Sequence, residues 1–112
     1  MNYHTEIIYN SETTAHFKVA VGEHIAEGIE ISLPGSVQYF LAITCKNGML
    51  ACRLADINVS DRLNFPIAIF SALRLENMLT QKPVSLSQRA MEMGASLDMT
   101  GVELVALFSV EA

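Results

Sequence analysis

The chain predicts a single α+β domain, with an N-terminal antiparallel sheet, a hairpin over residues 45–52, a buried strand at 65–73 and C-terminal helices packed on one face. Three observations predict it. The first half alternates apolar and polar residues with period two. Phe65 to Leu73 is continuously apolar, as a strand buried on both faces should be. The last third carries helix-start signals and an apolar stripe of helical period.

Taken in order, His16 to Val21 reads as a strand, with Phe17, Val19 and Val21 on one face and Lys18 and Ala20 on the other. Gly28 to Leu33 alternates again, placing Ile29, Ile31 and Leu33 on one face and Glu30 and Ser32 on the other, until Pro34-Gly35 forces a turn. Gln38–Lys46 and Met49–Leu54 are two further strands joined at Asn47-Gly48. Both turn residues tolerate positive φ, as a type I′ hairpin requires. That turn would pair Lys46 with Met49, Cys45 with Leu50, Ile43 with Cys52 and Leu41 with Leu54. The last three pairs would share one apolar face, and Ala42, Thr44, Ala51 and Arg53 the other.

Asp56 to Asn64 reads as a short helix, with Asp56 as N-cap and Val59 and Leu63 on one stripe. Between two strands it suggests a right-handed βαβ crossover. Leu75, Met78 and Leu79 form a stripe ended before Pro83. Ser85-Leu86-Ser87-Gln88 has the form of a capping box, opening a helix with Leu86, Ala90 and Met93 inward and a stop at Gly94. Thr100-Gly101-Val102-Glu103 is a second box, with Met99 and Leu104 placed as a hydrophobic staple.

Composition bounds the function. The 112 residues fit one domain, mainly β over 1–55 and mixed but mainly helical over 56–112. Only 17% of residues are charged against 51% hydrophobic, where an ordinary soluble domain carries about a quarter charged. Part of the surface should therefore be covered, most simply in a symmetric homo-oligomer. A net charge of −5, with seven Lys and Arg scattered singly, argues against a nucleic-acid partner. No uncharged run is long enough to span a membrane, and the N-terminus lacks a signal-peptide pattern. Two cysteines are too few for a disulfide framework, so reduced thiols and a cytoplasmic location are expected.

Candidate chemistry is sparse. The hairpin register places Cys45 and Cys52 on the apolar face as small core residues, where burial opposes the lowered thiol pKa that nucleophilic or redox chemistry needs. Cys52 keeps a rival role, because it precedes Arg53 and Asp56 at a strand-to-helix junction. A thiol, a cation and a carboxylate there could form a small enzyme site. His4, His16 and His24 lack metal-ligand spacing, and no Cys-x-x-Cys pair occurs, so no metal is expected. Asp56, Asp61, Asp98 and Glu103 are the other acid–base candidates, two of them already assigned to caps. Met91, Met93 and Met99 read as core filler. No phosphate-binding or dinucleotide motif occurs, so no cofactor is expected.

Lys46-Asn47-Gly48-Met49-Leu50-Ala51-Cys52, followed by Leu54 and Asp56, resembles the Gly…Cys…Leu-Asp stretch of the YunC-like proteins. Ala90–Gly94, then Met99-Thr100-Gly101 and Glu103-Leu104, is similar to that family's C-terminal signature, and the likeness spans about residues 28–106. The resemblance implies a small bacterial or archaeal protein of uncharacterised activity whose β-rich N-terminal region forms a tetramer. Arg53 and Asp98 stand where the family pattern has Gly, and Val102 where a basic residue is usual. A common site built from those positions would be altered here. The expected function is a non-enzymatic homo-oligomeric module, binding a small ligand at a subunit junction. The alternative is the thiol enzyme at Cys52, Arg53 and Asp56.

Overall fold

The computed structural model describes residues 2–110. Its strands are β1 (Tyr3–Asn10), β2 (Thr14–Val21), β3 (His24–Ser32), β4 (Tyr39–Cys45), β5 (Gly48–Cys52), β6 (Ile67–Phe70) and β7 (Ser85–Leu86). Its helices are α1 (Ile57–Arg62), α2 (Leu75–Thr80), α3 (Gln88–Glu92) and α4 (Gly101–Ser109). The strands form one seven-stranded sheet in sequence order. Every neighbouring pair is antiparallel except β5 and β6, which run parallel across α1. The architecture is α+β, as predicted, and the crossover falls where expected.

One face of the sheet and α2, α3 and α4 enclose the main core. Val19, Val21, Leu41, Ile43, Leu50 and Phe70 meet Leu75, Met78, Leu79, Leu104, Val105 and Phe108 there. The outer face is covered only at one end, where Ala55 and Ile57 pack on Ala51, Ile67 and Ile69. Thr100 and Glu103 close the expected capping box: the Thr100 Oγ1 accepts from the Glu103 N–H, and the Glu103 carboxylate from the Thr100 N–H. Those bonds hold the Glu103 carboxyl below its ordinary range.

Several expectations are corrected. The hairpin turns at Lys46-Asn47, pairing Cys45 with Gly48 and Ile43 with Leu50. A shift of this parity keeps each side chain on its expected face but moves Leu54 out of the strand into solvent. The cause is tertiary. A Cβ on Gly48 would lie 2.7 Å from the Phe108 ring, so this glycine serves close approach and has no positive φ. The Asn47 N–H donates to the Phe108 carbonyl (2.7 Å) and its side-chain amide to the Val110 carbonyl (2.5 Å). The end of α4 therefore selects the turn.

In β3 the alternation holds, but the buried face is the one that carries the acid: Ala26, Gly28 and Glu30 are buried, while Ile29 and Ile31 lie outward. Glu30 can enter the core side because its carboxylate is fully partnered. It accepts from Arg74 Nε (3.1 Å), Arg74 Nη2 (2.9 Å) and the Leu75 N–H (2.8 Å). Burial alone would raise its pKa, but the Arg74 hydrogen bond, the Leu75 N–H and the guanidinium charge outweigh it and hold the carboxyl below the usual range.

Ser85-Leu86 forms β7 instead of opening a helix. The Val84 and Ser87 N–H groups donate to the Ile69 and Ile67 carbonyls, so this stretch satisfies the free edge of β6. The helix start moves to Ser87, whose Oγ accepts from the Ala90 N–H; Gly94, at φ 106°, follows the helix as expected. In α1 the Val59 and Leu63 stripe faces solvent. Ile57 and Ser60, three residues apart, are the residues turned to the sheet. The buried strand is shorter than expected, since Phe65 and Leu73 stand outside it, exposed. β1 carries no sequence prediction, because an edge strand exposed along most of its length lacks an inside-outside contrast.

Candidate functional site

The parallel pair makes a cleft that a purely antiparallel sheet would lack. Cys52 and Phe70 are register partners at the carboxyl ends of β5 and β6. Beyond them the chain parts: Arg53 and Leu54 lead to α1 on the outer face, while Ser71 to Leu73 lead to α2 on the core face. Connections that leave to opposite faces open a crevice outside the strand ends, where open parallel sheets bind ligands. The connection from β3 to β4 supplies a third wall through Leu33, Gln38 and Tyr39. The cleft's volume is about 460 Å³, within the roughly 300–1,000 Å³ of small-ligand sites.

Cys52 and Phe70 form the buried floor. The Cys52 Sγ accepts a long hydrogen bond from the Leu41 N–H (3.5 Å). Arg53 stands exposed on the wall, and Gln38, Tyr39 and Ser71 add an amide and two hydroxyls. Leu54 and Leu73 are 62% and 66% exposed, two large apolar side chains left in water beside the opening. Tyr39 is positioned by a chain of contacts: the Arg74 guanidinium lies 4.4 Å from its ring centroid, and Arg74 is itself gripped by Glu30.

Of the sequence candidates, Cys52 and Arg53 meet at this cavity and Asp56 does not. Its carboxylate accepts from the Asn58 N–H (2.8 Å) as the cap of α1. Asp61 accepts from the Gln88 N–H (2.8 Å), Glu103 is held in its capping box, and Asp98 is exposed. Cys45 lies at the opposite end of the sheet, half-buried, its thiol pushed up to about 11 by burial despite a hydrogen bond with Ser109. Among the described residues no group of His, Cys, Asp and Glu side chains is placed to hold a metal ion. No helix among them is long and apolar enough to cross a membrane. Gln38, Tyr39 and Ser71 escaped the sequence reading, because each is an ordinary connection or strand-end residue until the walls come together.

Fold and cavity thus define a small α+β domain with a cleft at the carboxyl ends of a parallel strand pair. No family model matches the chain, and no curated protein matches it. Among solved structures, it is similar to a protein of unknown function, TA1206, from Thermoplasma acidophilum. The two superpose with a TM-score of 0.80 over 90% of this chain and 99% of that one, at 16% sequence identity. At that identity the likeness establishes the fold alone.

Proposed function

We propose that the chain is a homo-oligomeric, small-ligand-binding module that assembles through the open outer face of its sheet. One observation carries this reading: helix α1 covers that face only over β5 and β6, leaving its apolar residues bare across β1–β4. Ile8 and Ile25 are 61% and 56% exposed, and Ile29, Ile31 and Phe40 are only half-buried. Large apolar side chains set in water among polar ones, with Glu6, Lys18, Glu27 and Thr44 in register between Ile25 and Ile29, have the mixed character of a protein–protein interface. The hairpin's plain patch contributes less than its composition suggested, since Ala42 and Ala51 are already buried and Thr44 and Arg53 alone of its four residues are open. The resemblance to YunC-like proteins supports the same reading and favours a tetramer. Two free cysteines support a cytoplasmic setting.

The test is sedimentation at micromolar concentration. The wild-type chain should sediment as an oligomer, and Ile25→Asp combined with Ile29→Asp as a folded monomer with an unchanged circular dichroism spectrum. A monomeric wild-type chain overturns the assembly.

A thiol enzyme is the second reading, favoured by the meeting of Cys52 and Arg53 at one cavity. Alkylation of the native protein in a Cys45→Ala background separates the two readings. The module predicts labelling at least about tenfold slower than in the urea-unfolded chain, as burial dictates. Labelling as fast as in the unfolded chain would support the enzyme.

A further inference from the structure

Resting on the ligand-binding reading above, we infer that the cavity at the ends of β5 and β6 takes a small organic carboxylate with an apolar body, its carboxylate paired to Arg53. The charge pattern points to an anion. The chain holds twelve Asp and Glu against seven Lys and Arg, yet the cavity wall contains no acid and a single charge, that of Arg53. Arg74 and Arg89 are in ion pairs. Arg53 makes no hydrogen bond or ion pair with any described residue, so its planar fork is free to take a carboxylate through two parallel bonds.

The other groups narrow the class. The Gln38 amide, the Ser71 hydroxyl and the Tyr39 phenol also have no hydrogen-bond partner among the described residues, and each can donate to an anion. A phosphate dianion would need more positive charge than one guanidinium supplies. The first N–H of the adjoining helix α2 cannot provide it, being already bonded to Glu30. The remaining surface is apolar, from the buried Phe70 floor to the exposed Leu54 and Leu73. It suits a hydrocarbon body whose burial would remove these side chains from water. A monocarboxylate with an aliphatic or aromatic tail answers all three features.

The experiment is a titration followed by amide chemical shifts of the ¹⁵N-labelled protein. The probes are straight-chain carboxylates from acetate to octanoate with phenylacetate, their primary amides, and inorganic phosphate. At least one carboxylate should shift the amides of Gln38, Arg53 and Ser71. Its affinity should fall at least about tenfold in Arg53→Gln, and its amide should bind at least about tenfold more weakly, the discrimination expected when a charged partner is lost. Arg53 is exposed, so the variant should keep the wild-type spectral dispersion, and Arg53→Lys should fall between the two because it retains charge without the fork. Equal binding of acid and amide, indifference to Arg53→Gln, or displacement of the carboxylate by phosphate would each refute the carboxylate while leaving ligand binding standing. If no probe moves the cavity amides, both readings fail.

Discussion

Replacing Gly101 with alanine is expected to cost about 3 kcal/mol of stability, seen as a fall in Tm on the order of 10–20 °C. Gly101 is the first residue of α4, where a helix gains nothing from glycine. Its role is contact: a Cβ there would lie 1.8 Å from the Met78 carbonyl oxygen and 2.8 Å from the Leu79 Cα. Both are backbone atoms of α2, so no side-chain rotation relieves the clash, and the two helices must separate. Separation would also stretch the bond from the Gly101 N–H to the Gln81 carbonyl (3.0 Å) and loosen Met78 and Leu79, both fully buried. Thermal and urea unfolding measure the loss. A Tm within about 2 °C of wild type would show that α2 and α4 do not touch as closely as described.

The second large effect is expected at Arg74. Arg74→Ala removes two bonds to Glu30 and strands a carboxylate that is 5% exposed, retaining the Leu75 N–H as its partner. Breaking a buried pair from one side costs about 3–5 kcal/mol, and the lower end applies because the Arg74 side chain is itself 55% exposed. Charge-state variants and pH identify the cause. In the wild type the Glu30 pKa is lowered, so the pair contributes fully above the unfolded value near 4.5 and its contribution is lost as pH falls through the lower folded value. Without the guanidinium, burial dominates and raises the folded value. The variant should then recover stability relative to wild type between pH 7 and pH 4 as Glu30 takes up a proton. Arg74→Ala with Glu30→Gln should be more stable at pH 7 than Arg74→Ala alone. Denaturation midpoints across that range test this, and a stability gap independent of pH would contradict the buried-charge account. The same variant frees the Tyr39 ring, linking this ion pair to the cavity wall.

The sequence by itself determined what nearest neighbours along the chain decide. The alternation of β2, the Asp56 cap, the Thr100–Glu103 capping box and the apolar run of β6 are local in cause, and each is where its residues indicate. Cys52 and Arg53 were legible as neighbours at a strand end for the same reason.

Only the tertiary structure decided the rest. Asn47-Gly48 carries the chemistry of a type I′ turn, but Phe108 occupies the space above Gly48, and the end of α4 binds Asn47. Glu30 reads as a solvent-facing residue until a partner 44 positions away makes its burial tolerable. Ser85 and Leu86 resemble a helix start until the open edge of β6 offers hydrogen bonds. The cavity has no local signature at all. Its walls come from three separated connections, brought together by the divergence of the chain after two parallel strands, so its shape and single positive charge exist only once the sheet is assembled.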